Sequence, residues 1–275
     1  MPAEFDCIKD KPADGAQEAV LYNANMLADL PRPIIFAHRG ASRHAPENTM
    51  AAFELAAKDG APAIELDAKL TRDGKVVIFH DPTLTRTTNG QGNLAEKTAD
   101  ELRALDAGSR FSPQYRGEKI PFLEEVLEAF GKKLLINVEL RNYWTPLDGL
   151  VDRVCELLRR HSLRGNVLFS SFYSPNLRRA AKLMPEVPRA LLAIRGWRGA
   201  WARSFAFTFG DYMALHPHVN DASPQQAQRV HRLGRRVHVW TVNDPGEITR
   251  MAEWGVDGIF TDDPKAALRS LGRNL

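Results

Sequence analysis

Short apolar runs recur along the chain from residue 34 to its end, and most are followed by residues with the spacing of an amphipathic helix. This alternation predicts repeated β-α units and a parallel sheet. The predicted strands are 34–38, 63–67, 76–80, 134–141, 167–171, 189–193, 212–216, 237–242 and 258–261. The predicted helices are 49–59, 99–105, 123–130, 147–161, 175–183, 224–233 and 247–254. We therefore predict an α/β fold, a distorted (β/α)8 TIM barrel, with one of the nine strands outside its eight positions.

One connection breaks the β-α rhythm, because only residues 68–75 separate the second and third predicted strands. Asp73-Gly74 lies at its centre, and Asp-Gly is a strong signal for a β-hairpin. A two-residue turn would pair Arg72 with Lys75 and place Asp67 opposite His80, to within a residue. The hairpin would thus bring a carboxylate and an imidazole into one site.

The chain is expected to divide into an extension, residues 1–31, and a barrel domain, residues 32–275. The extension is polar, with an amphipathic helix predicted near 18–30 that ends at Pro31 and Pro33. It could pack on the barrel bottom, contact a partner or be a remnant of cloning. Residues 82–121 are rich in Thr, Asn, Gly and charge, which predicts a small insertion after the third strand.

Composition narrows the functional classes. The chain has 275 residues, enough for one barrel, and its 37 basic residues are scattered among 34 acidic ones, so no nucleic-acid partner is expected. Its two cysteines, Cys7 and Cys155, lie far apart, which argues against a disulfide framework. No apolar run approaches ~18 residues, and no leader pattern precedes residue 10. We expect a cytoplasmic protein without a transmembrane segment, and a homodimer is compatible with the sequence.

Acidic residues lie at the ends of several predicted strands, which meet at the mouth of a barrel. Glu65 and Asp67 project to the same side of one strand, as do Glu139 and Arg141 of another, because side chains alternate along a strand. Three buried carboxylates need a compensating cation, since each desolvated charge costs several kcal/mol. An all-oxygen set suits one divalent ion, Ca²⁺ or Mg²⁺, and nearby histidine keeps Mn²⁺ or Zn²⁺ open.

Two histidines and two arginines also lie at the ends of predicted strands: His38-Arg39 at the first, His80 at the third and Arg141 at the fourth. His38 and His80 are candidates for proton transfer, because an unperturbed imidazole titrates near pH ~6.5. Arg39 and Arg141 suit a phosphate, since the guanidinium group matches its oxygens and keeps its charge. These groups predict chemistry on a phosphate ester beside the metal.

The motifs of the chain, in order, resemble those of the glycerophosphodiester phosphodiesterase family. They are His38-Arg39-Gly40, Pro46-Glu47-Asn48-Thr49, Glu65-Leu66-Asp67, Asp73-Gly74, His80-Asp81, Glu139-Leu140-Arg141, Ser171-Phe172, Trp240-Thr241-Val242-Asn243 and Gly255-Val256-Asp257-Gly258 leading to Thr261-Asp262. The resemblance implies a metal on Glu65, Asp67 and Glu139 and catalysis by His38 and His80.

The resemblance further implies that Arg39 contacts phosphate and that Glu47 and Asn48 lie at the rim. Trp240, the first residue of the motif Trp240-Thr241-Val242-Asn243, is a further candidate for substrate binding. Asn48-Thr49 also has the composition of a helix start, so capping is an alternative for that pair. Arg141 stands where the family commonly has lysine, which keeps the charge and changes its orientation.

The resemblance implies metal-dependent hydrolysis of glycerophosphodiesters to glycerol 3-phosphate and an alcohol. Alternatives are a lysophospholipase D and a catalytically silent barrel that binds such diesters. A sugar-phosphate isomerase would leave the three carboxylates without a task. Residues 195–210 match no motif and either shape the leaving-group pocket or cover a barrel end. Their aromatic residues could line an apolar groove beside the mouth or pack in the core; they are Trp197, Trp201, Phe205, Phe207 and Phe209.

Overall fold

A computed structural model describes residues 29–273. Its strands are β1 (Ile34–His38), β2 (Ala63–Leu70), β3 (Val76–Ile78), β4 (Leu135–Leu140), β5 (Val167–Ser171), β6 (Arg189–Ala193), β7 (Ala214–Pro217), β8 (Arg236–Val239) and β9 (Gly258–Thr261). Eight of them are parallel neighbours in the order β1-β2-β4-β5-β6-β7-β8-β9, and β9 pairs with β1 to close the barrel. The predicted (β/α)8 TIM barrel is confirmed, and β3 is the strand outside it.

Helices connect the strands on the outside of the barrel. They are α1 (Met50–Lys58), α2 (Ala99–Arg103), α3 (Leu123–Phe130), α4 (Leu150–Arg160), α5 (Ser174–Leu183), α6 (197–209), α7 (Pro224–Arg232), α8 (Pro245–Glu253) and α9 (Pro264–Ser270). The last three each follow a capping Ser or Asp and begin with proline, which needs no backbone N–H partner there. In residues 29–273, no helix has the length and apolar content needed to cross a membrane.

The strands bury both faces, as parallel strands covered by helices must. In β1, Ile35 and Ala37 belong to the core cluster between strands and helices, whereas Ile34 and Phe36 belong to the cluster inside the barrel. Side chains alternate along a strand, so the next inward residue after Phe36 is His38. The apolar filling therefore ends one layer below the mouth, where polar side chains begin.

The hairpin between β2 and β3 differs from the predicted two-residue turn. Ala68 pairs with Ile78, and the backbone N–H of Thr71 donates to the carbonyl of Lys75, so three residues form the loop. Gly74 has φ +76°, the left-handed conformation that closes a three-residue hairpin loop. Asp67 consequently lies opposite Phe79 rather than His80, one residue from the predicted register.

Two helices of the barrel were not predicted as helices, α6 and α9, and the hydrophobic pattern of each is short or interrupted. The segment between β3 and α3 contains α2, and it has its own apolar cluster around Leu84, Leu94 and Leu102. The helix predicted near residues 18–30 lies outside the described residues, except for its last two positions.

Candidate active site

A cavity of about 220 Å³ opens at the carboxyl ends of the barrel strands. It is lined by seven residues that the sequence had predicted for the site, namely His38, Arg39, Glu65, His80, Glu139, Arg141 and Trp240. The rest of its wall is formed by Asn137, Ser170, Phe172, Leu192, His216 and Phe260. The barrel topology thus collects side chains from strands that are distant in sequence.

Three carboxylates meet beside this cavity. Oxygens of Glu65, Asp67 and Glu139 all lie within 4.8 Å of one another, and the three residues are buried. Strand pairing explains the cluster, because Asp67 of β2 is in register with Glu139 of β4 and Glu65 shares the inward face of Asp67. Burial and the repulsion of its two acidic neighbours raise the pKa of Glu65 well above its usual range.

Two arginines partly balance this charge. The Nε of Arg39 lies 3.3 Å from an oxygen of Asp67, and Arg141 donates from Nη1 to Glu139 at 2.7 Å. Burial alone would raise the pKa of Asp67, but the positive charges of Arg39 and Arg141 lower it instead. Both arginines pair with Asp67 or Glu139, and neither forms a salt bridge with Glu65. The oxygen donors and spacing of the three carboxylates fit a divalent ion.

Each of the two predicted catalytic histidines is hydrogen-bonded to an aspartate through Nδ1. His38 Nδ1 lies 2.7 Å from Asp262, and His80 Nδ1 lies 2.6 Å from Asp81. An ionised carboxylate only accepts hydrogen bonds, so both Nδ1 atoms carry hydrogen and both Nε2 atoms are left for a ligand. Burial lowers the pKa of His80, which favours its neutral form near pH 7.

Glu47 and Asn48 act through other side chains and do not line the cavity. Glu47 accepts from Arg39 at 2.9 Å, and Asn48 donates from Nδ2 to Asp67 at 2.8 Å. The capping alternative applies to their neighbour, because Thr49 Oγ1 accepts the N–H of Ala52 at the start of α1. These two residues hold the side chains of Arg39 and Asp67 in place.

Sequence reasoning missed the supporting groups. Asp262 follows the last strand, a position that predicts a place at the mouth, yet nothing in the sequence linked it to His38. Arg86 contacts both Asp81 and Glu47 from the insertion. Tyr143 donates to Glu139 at 2.8 Å and accepts the backbone N–H of Phe172 at 3.1 Å.

His216 of the cavity wall forms a buried pair with His238. His216 Nε2 and His238 Nδ1 are 3.0 Å apart, and both residues are fully buried. Burial lowers the pKa of His216 to about 3 and that of His238 well below its usual range. The pair is therefore neutral, and it places a polar but uncharged floor beneath the charged site.

The aromatic residues of 195–210 do not form a groove beside this mouth. Phe207 is buried in the core, as the core-packing alternative expected. The other four are exposed on the outside of the barrel, and none of the five belongs to the cavity wall.

Comparison with known proteins decides the family. The model of the glycerophosphoryl diester phosphodiesterase family matches residues 38–266. The chain belongs to this family. The predicted family and the predicted enzyme class, a phosphoric diester hydrolase, are thereby confirmed. The catalytic, metal and substrate roles of individual residues stay predictions.

Relatives of this phosphodiesterase cover almost the same length of chain. A glycerophosphodiester phosphodiesterase of Caldanaerobacter subterraneus is 36% identical over 238 residues, which is 86% of this chain and 97% of the relative. One of Bacillus altitudinis is 36% identical over 239 residues, 86% and 96% of the two chains. The structure of an Oleispira antarctica phosphodiesterase in complex with the product sn-glycerol-3-phosphate superposes with TM-score 0.80 at 33% identity, over 89% of this chain and 98% of that one.

Proposed function

We propose that this phosphodiesterase hydrolyses glycerophosphodiesters to glycerol 3-phosphate and an alcohol, in a reaction that depends on a divalent metal. The proposal assigns the activity to the barrel, residues 32–275. The observation that carries it is one cavity lined by acidic, basic and imidazole groups, with the buried trio Glu65, Asp67 and Glu139 at its edge. The product bound by the Oleispira antarctica relative supports a glycerol phosphate as ligand.

The metal would be held by Glu65, Asp67 and Glu139. When bound, it would supply positive charge that stabilises the additional negative charge on the phosphoryl oxygens. Ca²⁺ or Mg²⁺ fits the oxygen donors best, with Mn²⁺ and Zn²⁺ as the alternatives. The raised pKa of Glu65 supports the assignment, because that carboxylate lacks a full counter-charge of its own.

Arg39 and Arg141 are the phosphate-binding residues of the proposal. Both guanidinium groups line the cavity and remain charged at any working pH. Arg39 is held by Glu47, and Arg141 donates from Nε to the backbone carbonyl of His80 at 2.8 Å. These contacts fix the two guanidinium groups before the diester arrives, which lowers the cost of ordering them.

His80 is the general base and His38 the general acid. His80 is neutral near pH 7, so its Nε2 accepts the proton of the attacking group, the neighbouring glycerol hydroxyl, whose oxygen displaces the alcohol and forms a cyclic phosphate. Water then opens the cyclic phosphate to glycerol 3-phosphate. His38 donates a proton from Nε2 to the departing alcohol oxygen, while Asp262 holds its Nδ1 hydrogen. The partly buried carboxylate of Asp262 stabilises the positive imidazolium that this role requires.

The alternative functions have less support. The relatives named above are glycerophosphodiester phosphodiesterases, which does not favour a lysophospholipase D. A silent binding barrel would not require both imidazoles to be held by aspartates. The cytoplasmic location and the homodimer stay predictions.

The test is release of choline and ethanolamine from glycerophosphocholine and glycerophosphoethanolamine, followed with and without a chelator. We expect turnover that stops with chelator and returns with Mg²⁺ or Ca²⁺. Variants His38→Gln and His80→Gln are expected to bind the diester and release no alcohol. Unchanged turnover in chelator would contradict metal dependence, and no release from either diester would contradict the substrate class.

A further inference from the structure

Four large aromatic side chains form an exposed row on the outer surface of helix α6. They are Trp197, Trp201, Phe205 and Phe209, which we call the aromatic stripe. Their exposed fractions are 83%, 64%, 58% and 75%. The helix begins with a 3-10 turn and contains a π-helical turn, Ala202–Ala206, and the four rings, spaced four residues apart, are all exposed along it. A continuous exposed apolar surface of this kind marks a contact site.

The stripe is a coherent surface and not a misplaced part of the core. Three of the four rings lie next to one another, with centroids 6.2 Å apart for Trp201 and Phe205 and 4.6 Å apart for Phe205 and Phe209. The opposite face of α6 already packs on the barrel through Phe207 and Ala206. The helix therefore has an inner apolar face that is satisfied and an outer one that is not.

Positive charge accompanies the aromatic rings. The chain has no acidic residue between Glu186 and Asp211, and Arg195 and Arg198 are exposed at the end of α6 where the stripe begins. The guanidinium of Arg198 lies over the ring of Trp197, 5.7 Å from its centroid. Tryptophan with adjacent arginine suits the boundary between phospholipid headgroups and acyl chains, because the ring enters the apolar region while the cation meets phosphate.

The two hydroxyl residues beside the stripe, Ser204 and Thr208, have their hydrogens bonded within the helix. Ser204 donates its hydroxyl hydrogen to the carbonyl of Ala200, and Thr208 donates to that of Ser204. A protein interface has about one hydrogen bond per ~100–200 Å². The stripe combines apolar area with exposed guanidinium groups, and the adjacent hydroxyls are bonded within the helix. This combination matches a lipid surface better than a protein partner.

One exposed apolar residue lies between the stripe and the cavity along the chain. Helix α6 starts just after β6, whose Leu192 lines the cavity, and Ile194 between them is half exposed. We propose that the aromatic stripe, with Arg195 and Arg198, is a docking face for a phospholipid bilayer that contains anionic lipid.

The proposal does not depend on turnover, so it is tested by binding. Full-length protein is sedimented with vesicles of phosphatidylcholine alone and of phosphatidylcholine with phosphatidylglycerol in equal parts. We expect binding to the anionic vesicles that weakens at high salt. The double variant Trp201→Ser/Phe205→Ser should bind at least ~10-fold more weakly, since it removes two rings from the inserted surface.

Two further variants sharpen the test. Trp144→Ser removes an equally exposed tryptophan outside the stripe and should bind like wild type. Arg195→Gln/Arg198→Gln should lose the preference for anionic vesicles. All variants should hydrolyse soluble glycerophosphocholine at the wild-type rate, which also verifies that they fold. If the wild-type protein does not hydrolyse this diester, circular dichroism verifies folding instead.

Three results would overturn the proposal. Wild-type protein that stays in solution with both kinds of vesicle would do so, as would a stripe double variant that binds like wild type. The third is a wild-type dimer by light scattering that becomes a monomer in the double variant, with no vesicle binding by either. That result would assign the stripe to a subunit interface.

Discussion

The contact between His38 and Asp262 gives the most specific prediction about the chemistry. Asp262 accepts from His38 Nδ1 at 2.7 Å and is itself held by Asn243, which donates at 2.6 Å. Burial alone would raise the pKa of Asp262, but the hydrogen bonds from His38 and Asn243 lower it, so the group is ionised at neutral pH. Asp262→Asn keeps the shape of this side chain and removes its charge.

The expected loss follows from the change in hydrogen-bond strength. A hydrogen bond to a charged group contributes ~1.5–3 kcal/mol and a neutral one ~0.5–1.5 kcal/mol, so the variant loses about 1–1.5 kcal/mol of support for imidazolium. That corresponds to a kcat lower by about 5–15-fold. An amide nitrogen facing Nδ1 would force the other tautomer and increase the loss. KM should change by less than about twofold, because the phosphate contacts remain.

The neighbouring residue supplies a matched control. Asp263 also bonds a histidine, with Oδ2 at 2.9 Å from His44 Nε2, and its other oxygen caps α9. His44 is half exposed and does not line the cavity. Asp263→Asn should keep the wild-type kcat, since asparagine caps a helix as well as aspartate does. Equal kcat values for wild type and Asp262→Asn in steady-state assays of glycerophosphocholine would refute the role of Asp262.

Three other predictions follow from the same geometry. Burial lowers the pKa of His80, so this base stays deprotonated to lower pH than a free imidazole. The acid limb of the kcat/KM profile should therefore lie below pH ~6.5, and a limb above that value would contradict the role of His80 as base. Tyr143→Phe removes the hydroxyl that bonds the N–H of Phe172 and an oxygen of Glu139. Chemical denaturation should show a free energy of unfolding lower by about 1–2 kcal/mol. No change would mean that water replaces the hydroxyl. Burial alone would raise the pKa of Asp81, but hydrogen bonds from Arg86 and His80 lower it from 3.8 to about 2. The ionised carboxylate therefore stabilises the fold above pH 3.8, and this contribution is lost as the pH falls toward 2. After a discount for solvent screening, Asp81→Asn should cost about 1 kcal/mol at pH 7 and almost nothing near pH 2, and a pH-independent difference between the two proteins would contradict this.

Strand positions were predictable because most barrel strands are apolar runs that end at or next to a polar residue. His38, Glu65 and Glu139 were found in this way, since alternation along a strand and convergence at the mouth are properties of any such barrel. The register of the β2–β3 hairpin could be predicted only to within a residue, because the turn signal Asp73-Gly74 does not distinguish a two-residue loop from a three-residue loop.

Contacts between distant parts of the chain were harder to predict from the sequence. Asp262 is 224 positions from His38, and Arg86 reaches Glu47 from an insertion without regular periodicity. Helix α6 was missed because its exposed face is aromatic, so hydrophobic spacing does not separate its inner side from its outer one. In each case the missing information is a three-dimensional contact and not a local preference.

Equilibrium binding of a metal by the chelator-treated, full-length protein tests the central claim most directly. Calorimetric titration with Mg²⁺ or Ca²⁺ should give one ion per chain, and Glu65→Gln should abolish or greatly weaken that binding. Glu124→Gln, in a more exposed cluster with Glu128 and His161, should leave it unchanged. A wild-type protein that takes up no ion, or a Glu65→Gln variant that binds as tightly as wild type, would contradict a cation held by Glu65, Asp67 and Glu139.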